Sequence, residues 1–125
     1  MKLLKEFIAH DHYIIDLLFS SDGINLISCG MDAKIKAWDT KFGELTKTLE
    51  DHNNSVNSIS FSKNGKLLAS VSTDQSVKLW HLTKCEVLKT FKGHKKTVSK
   101  VQISPDQNYI ASGSYEGKVR LWDIK

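Results

Sequence analysis

Tryptophan occurs three times in this chain, at Trp38, Trp80 and Trp122, and both intervals are 42 residues. The same step carries His10 to His52 and His94, Ser28 to Ser70 and Ser112, Ser20 to Ser62 and Ser104, and Lys5 to Lys47 and Lys89, with no gap anywhere. Conservative exchanges occupy the positions between: Ile14/Val56/Val98, Phe19/Phe61/Ile103, Leu26/Leu68/Ile110, Ile35/Val77/Val119 and the acids Asp32/Asp74/Glu116. Self-similarity of this period restricts the chain to an array of one small unit, each copy burying its apolar face against its neighbours.

Each unit reads as strands and turns. Ser55 to Phe61 is rich in β-branched and apolar residues, and Asn64-Gly65 follows as a hairpin cue, since both turn residues tolerate positive φ. Lys66 to Val71 is the next strand, Thr73-Asp74-Gln75 a second turn, and Val77 to Trp80 alternates with period two. After Thr83-Lys84-Cys85, a fourth strand runs from Glu86 to Phe91; Asp22-Gly23 marks the matching first hairpin of the first unit. Four short antiparallel strands without helical periodicity exclude the helical solenoids of similar period. The expected fold class is all-β, with each unit a four-stranded propeller blade.

Gly93-His94, Ile103-Ser104-Pro105-Asp106, Ala111-Ser112-Gly113-Ser114 and Val119-Arg120-Leu121-Trp122-Asp123 resemble the WD40 repeat. The second unit is similar at Asp51-His52, Phe61-Ser62-Lys63-Asn64-Gly65, Leu68-Ala69-Ser70 and Val77-Lys78-Leu79-Trp80-His81, and the first at Ala9-His10, Phe19-Ser20-Ser21-Asp22-Gly23 and Ala37-Trp38-Asp39. The resemblance covers the whole chain. Its departures are Ala-His and Asp-His for Gly-His, Trp-His at 80–81, and Glu116 for the usual Asp. The repeats run over 9–50, 51–92 and 93–125, with 2–8 as an outer strand completing a blade of a neighbouring copy.

Every unit holds a His, a Ser and an acid: His10/Ser28/Asp32, His52/Ser70/Asp74 and His94/Ser112/Glu116. Those types could serve nucleophilic catalysis, but an active site is normally unique, and recurrence in all three units argues for a structural device. The resemblance implies the same: acid, His and Ser with Trp38, Trp80 or Trp122 form a hydrogen-bonded tetrad in each blade. Buried imidazole, hydroxyl and indole groups each need a partner. No enzyme activity, cofactor or metal is expected. His10-Asp11-His12 offers too few ligands for zinc, and the repeat already assigns His10 to the first tetrad. The seven glycines are isolated, so no phosphate cradle exists. Phe7, Leu49, Phe91 and the tryptophans could stack on single-stranded nucleic acid, but their strict period assigns them to packing between blades.

Composition narrows the setting. No apolar run approaches the ~18–20 residues a membrane span needs, and Lys5 and Glu6 interrupt any signal sequence. Two cysteines, Cys29 in a strand and Cys85 at a turn, make no disulfide framework. A reducing intracellular compartment, the cytoplasm, is expected, and the glycosylation sequon Asn53-Asn54-Ser55 is then accidental. Residues 1–62 carry 6 basic and 9 acidic groups (net −3), and residues 63–125 carry 12 and 5 (net +7). The excess gathers around Lys92, Lys95, Lys96 and Lys100, within a lysine cluster over 84–100 that offers a polyanion or nucleic-acid surface as an alternative function. Of the 18 cations 17 are lysine, whereas base readout favours arginine, so a solvated face is the simpler reading.

The function expected first is a scaffold that binds a protein or peptide on one face of the ring. The resemblance places that face at the residue three after each His (Tyr13, Ser55, Thr97) and the residue before each acid (Met31, Thr73, Tyr115). The register of the ends predicts an outer strand over Leu3–Ile8 and a closing strand over Lys118–Ile124. Three blades do not close a ring. Exposed blade faces of several hundred Å² would forfeit on the order of 10 kcal/mol at about 25 cal/mol per Å². The expectation is a six-bladed C2 homodimer in which those two strands pair between copies, with a nine-bladed trimer as second choice and a fragment of a longer chain as the rival account.

Overall fold

The computed structural model describes residues 1–125 and consists of strands and turns alone. The first sheet holds β1 (Ile14–Phe19), β2 (Asn25–Gly30), β3 (Lys34–Asp39) and β4 (Leu45–Glu50), and the second β5 (Val56–Phe61), β6 (Leu67–Ser72), β7 (Val77–His81) and β8 (Glu86–Phe91). The third has β9 (Val98–Ile103), β10 (Tyr109–Ser114) and β11 (Val119–Asp123). Each is an antiparallel meander in chain order. A bulge recurs where each innermost strand starts, between Ile14 and Asp16, between Val56 and Ser58, and opposite Gly113/Ser114.

Within one copy residues 1–10 pair with no strand, and the strand expected over Leu3–Ile8 has its expected partner, Lys118–Ile124, only in another copy. The cause is geometric, because an extended segment becomes a strand only beside a partner. The segment nevertheless sits where the repeat puts it. Phe7 packs on Trp38 with ring centroids 4.8 Å apart, as Phe91 of β8 packs on Trp122 at 5.1 Å.

The core lies between sheets. One apolar cluster joins Ile27, Cys29, Ile35, Ala37 and Leu49 of the first sheet to Val56, Ile59, Leu68 and Trp80 of the second. Another joins Ala69, Val71, Val77 and Leu79 to Val98, Val101, Ile103 and Ile110 of the third. A lone sheet has no interior, so each blade borrows one from the next. The hairpin between the first two strands needs a left-handed residue, supplied by Gly23 (φ 74°) and Gly65 (φ 74°) but by Gln107 (φ 62°) in the third blade. There the side chain does other service, since Gln107 Oε1 accepts the Asn64 N–H of the second blade at 3.2 Å.

Candidate functional site

Two kinds of site emerge: three repeated polar chains inside the blades, and a variable surface at one end. In the first blade Trp38 Nε1 donates to Ser28 Oγ at 3.0 Å, and Ser28 Oγ lies 2.7 Å from His10 Nε2. His10 Nδ1 is 2.9 Å from Asp32 Oδ2. The second blade repeats this with Trp80, Ser70, His52 and Asp74 at 2.8, 2.7 and 2.9 Å. The third does so with Trp122, Ser112, His94 and Glu116 at 2.8, 2.7 and 2.7 Å. A carboxylate only accepts, so Nδ1 carries the imidazole hydrogen. Nε2 then accepts from the serine hydroxyl, whose oxygen takes the indole N–H. Every group in the chain is satisfied.

The acids are tuned by this contact. Burial pushes the Asp74 carboxyl up, but hydrogen bonds from His52, the Ser76 hydroxyl and the backbone N–H groups of Asn53 and Ser76 outweigh it, leaving it well below the usual range. Asp32 is lowered in the same way: burial opposes, while His10 and the Lys34 N–H prevail. The Ser114 hydroxyl, and then His94, pull Glu116 down to about 2. The longer Glu116 side chain thus completes the third tetrad, and its oxygens also accept the Lys95 N–H at 3.3 Å.

The serines at the centre are closed to solvent: Ser28, Ser70 and Ser112 are all buried. His12, outside the tetrads, accepts the Tyr13 N–H at 2.9 Å and meets the Tyr13 ring edge-on. No three His, Cys, Asp or Glu side chains converge where a metal ion could sit.

The six face residues come together in pairs, each joined by one backbone bond. Met31 N–H donates to Tyr13 C=O at 2.9 Å, Thr73 N–H to Ser55 C=O at 3.0 Å, and Tyr115 N–H to Thr97 C=O at 2.9 Å. All three joints lie at one end of the sheets, opposite the hairpins of Gly23, Gly65 and Gln107. Tyr13, Met31 and Tyr115 are exposed. Ser55 is buried, and the Thr73 hydroxyl already accepts from Asn57 Nδ2 at 3.1 Å, so the middle blade offers little side chain to a partner. Lys92, Lys95, Lys96 and Lys100 are exposed and unpaired by any acid.

Several contacts escaped the sequence reading. Lys47 Nζ donates to Leu82 C=O at 2.9 Å and Lys89 Nζ to Ile124 C=O at 2.5 Å, tying each outer strand to the next blade. The Lys5/Lys47/Lys89 spacing was the visible signal, but a backbone acceptor leaves no mark in sequence. The departures from Gly-His also have partners. Asp51 accepts from Lys78 Nζ at 2.6 Å, and the Ala9 carbonyl from Lys36 Nζ at 3.1 Å. At Gly93 a Cβ would come within 2.9 Å of Arg120 Nη1, so the guanidinium occupies the space a side chain would need.

Stacked antiparallel sheets, each pinned by one hydrogen-bonded tetrad, are blades of the β-propeller type. The family described as "WD domain, G-beta repeat", WD40, matches residues 1–39, 43–81 and 85–123, and the chain belongs to it. WD40 proteins are generally non-enzymatic scaffolds that bind other proteins. The chain is similar to nuclear distribution protein nudF 2 of Talaromyces marneffei (strain ATCC 18224), with 37% identity over 51 residues. That stretch is 40% of this chain and 11% of the relative's length. No helix is long and apolar enough to cross a membrane.

Proposed function

We propose that this chain is a non-enzymatic interaction module whose partner-contacting surface is the end bearing Tyr13, Met31 and Tyr115. The observation that carries the reading is the contrast between a repeated interior and an unrepeated end. The tetrads use the same chemistry three times, whereas the backbone-locked joints at 13/31, 55/73 and 97/115 present different side chains. Large, adaptable side chains on rigid turns are what a protein or peptide hot spot requires. The tetrads hold the blades and do no chemistry, because a buried hydroxyl that already donates and accepts gives a substrate no approach. With a partner captured from lysate, Tyr115→Ala should weaken binding about tenfold or more, while Cys85→Ala, at the opposite rim, should leave it unchanged. A partner cross-linked to the Cys85 rim would reject this placement, and hydrolysis abolished by Ser70→Ala in a folded chain would reject the non-enzymatic reading.

We infer also that two copies close a ring of six blades. The support is the apolar surface at the two ends of the stack, where Leu17, Phe19, Val119 and Leu121 are exposed although their counterparts inside the stack are covered. A three-copy, nine-bladed ring is the alternative closure.

A further inference from the structure

The interior of the stack shows which residues a blade sets against its neighbour, and the 42-residue step transfers those registers to the open ends. β8 pairs with β7 as Val77 opposite Phe91, Lys78 opposite Thr90, Leu79 opposite Lys89 and, after a bulge, His81 opposite Glu86. Advancing β7 by one repeat gives β11, and moving β8 back by two gives residues 2–7. The register then sets Phe7 of another copy opposite Val119, Glu6 opposite Arg120, Lys5 opposite Leu121 and Lys2 opposite Asp123. Residues paired this way touch, since Lys78 Nζ reaches Thr90 Oγ1 at 3.2 Å.

Two of these pairings join opposite charges where the matching interior positions do not. Lys36 faces Thr48 and Lys78 faces Thr90, but Arg120 would face the carboxylate of Glu6. Arg120 Nε is also the one buried side-chain nitrogen or oxygen in the molecule without a hydrogen-bond partner. A third pairing falls on the innermost strands. Asp16 Oδ2 accepts the Ile59 N–H at 3.1 Å and Ser58 Oγ the Val101 N–H at 3.3 Å, so the same step brings Lys100 against Leu17 of the next copy. The Leu17 N–H is held by Asp16 Oδ1 at 2.9 Å, and Lys100 would therefore meet an acid.

We propose that the open ends are a docking surface for a second copy of this chain, selected by Glu6 against Arg120, Lys2 against Asp123 and Asp16 against Lys100. This rests on the two-copy ring above and adds the code that chooses the partner. It also assigns Lys100 to the seam, apart from the other exposed lysines. Opposite charges facing across a strand pair favour it, and like charges directly opposite oppose it. In a C2 ring each pair occurs twice, once per seam.

The symmetry supplies the test. Sedimentation equilibrium of the full chain should give a dimer. Glu6→Lys alone sets like charges at both seams, as does Arg120→Glu alone, and each should weaken association roughly tenfold or more. An equimolar mixture of the two variants should regain wild-type affinity, because one seam of the mixed dimer carries the exchanged pair and the other the native pair. The double variant should also dimerise as wild type, which shows that loss in the Arg120→Glu chain is not misfolding. A folded wild-type monomer would overturn the two-copy reading, and a trimer the six-blade count. A dimer indifferent to both substitutions, or two weakened variants that do not rescue one another, would overturn the charge code while leaving the ring intact.

Discussion

The second and third blades carry the same side-chain pattern and live in different surroundings. Val77 and Leu79 of the middle blade are 0% and 1% exposed, whereas Val119 and Leu121, one repeat later, are 79% and 68% exposed. Trp80 is fully buried and Trp122 only partly so, yet both make the same indole bond to serine. The tetrad therefore belongs to the blade, and the core belongs to the gap between blades. A blade's contribution to stability is set by what lies beside it.

The two blades should differ most at their tryptophans. Trp80→Ala should cost about 3–5 kcal/mol in denaturant unfolding, through lost burial and the cavity left behind, and Trp122→Ala clearly less in the isolated chain. Equal costs would mean that the third blade is already covered in solution. Leu79→Ala should cost about 2–5 kcal/mol, while Leu121→Ala should leave the unfolding of a single chain nearly unchanged and act on association instead.

Acid should separate the tetrads next. Glu116 has a folded-state value of about 2 against 4.5 unperturbed, and Asp74 and Asp32 are also lowered. A lowered carboxyl contributes stability above its unfolded value and loses it as pH falls through the folded one. Stability should hold above about pH 5 and decline from about 4.5 toward 2, a fall followed by circular dichroism. Glu116→Gln should flatten the part of the decline nearest pH 2–4.5, and an unchanged profile would deny Glu116 its role. The smallest effect is local. Cys85 holds φ at 55° where the first blade has Gly43 at 69°, so Cys85→Gly should stabilise by up to about 1 kcal/mol, and a loss in thermal melts would contradict it.

Sequence alone carried the fold a long way, because a strict period aligns each strand with two others. β5 to β8 fall within a residue of the segments read from Ser55 to Phe91. The His, Ser, acid and Trp positions likewise occupy one hydrogen-bonded chain per blade. What stayed hidden depends on partners rather than patterns. Leu3–Ile8 has strand composition but no strand beside it within one copy, so it stays unpaired. Ser55 sits at a face position by register but is buried at the joint with Thr73, a depth that spacing does not encode. The lysine bonds to Leu82 and Ile124 use carbonyls, which any residue supplies.

Cys29 has a use that its packing role conceals. It is buried in the cluster joining the first two sheets, and burial, followed by the charge of Asp16, pushes its thiol up to about 12. At neutral pH such a sulfur is protonated and sheltered, while Cys85 is exposed. An alkylating reagent should therefore modify Cys85 at once and Cys29 only when the first two blades part. The slow phase of that reaction is a native clock for breathing of one chosen seam, with no label engineered into the chain.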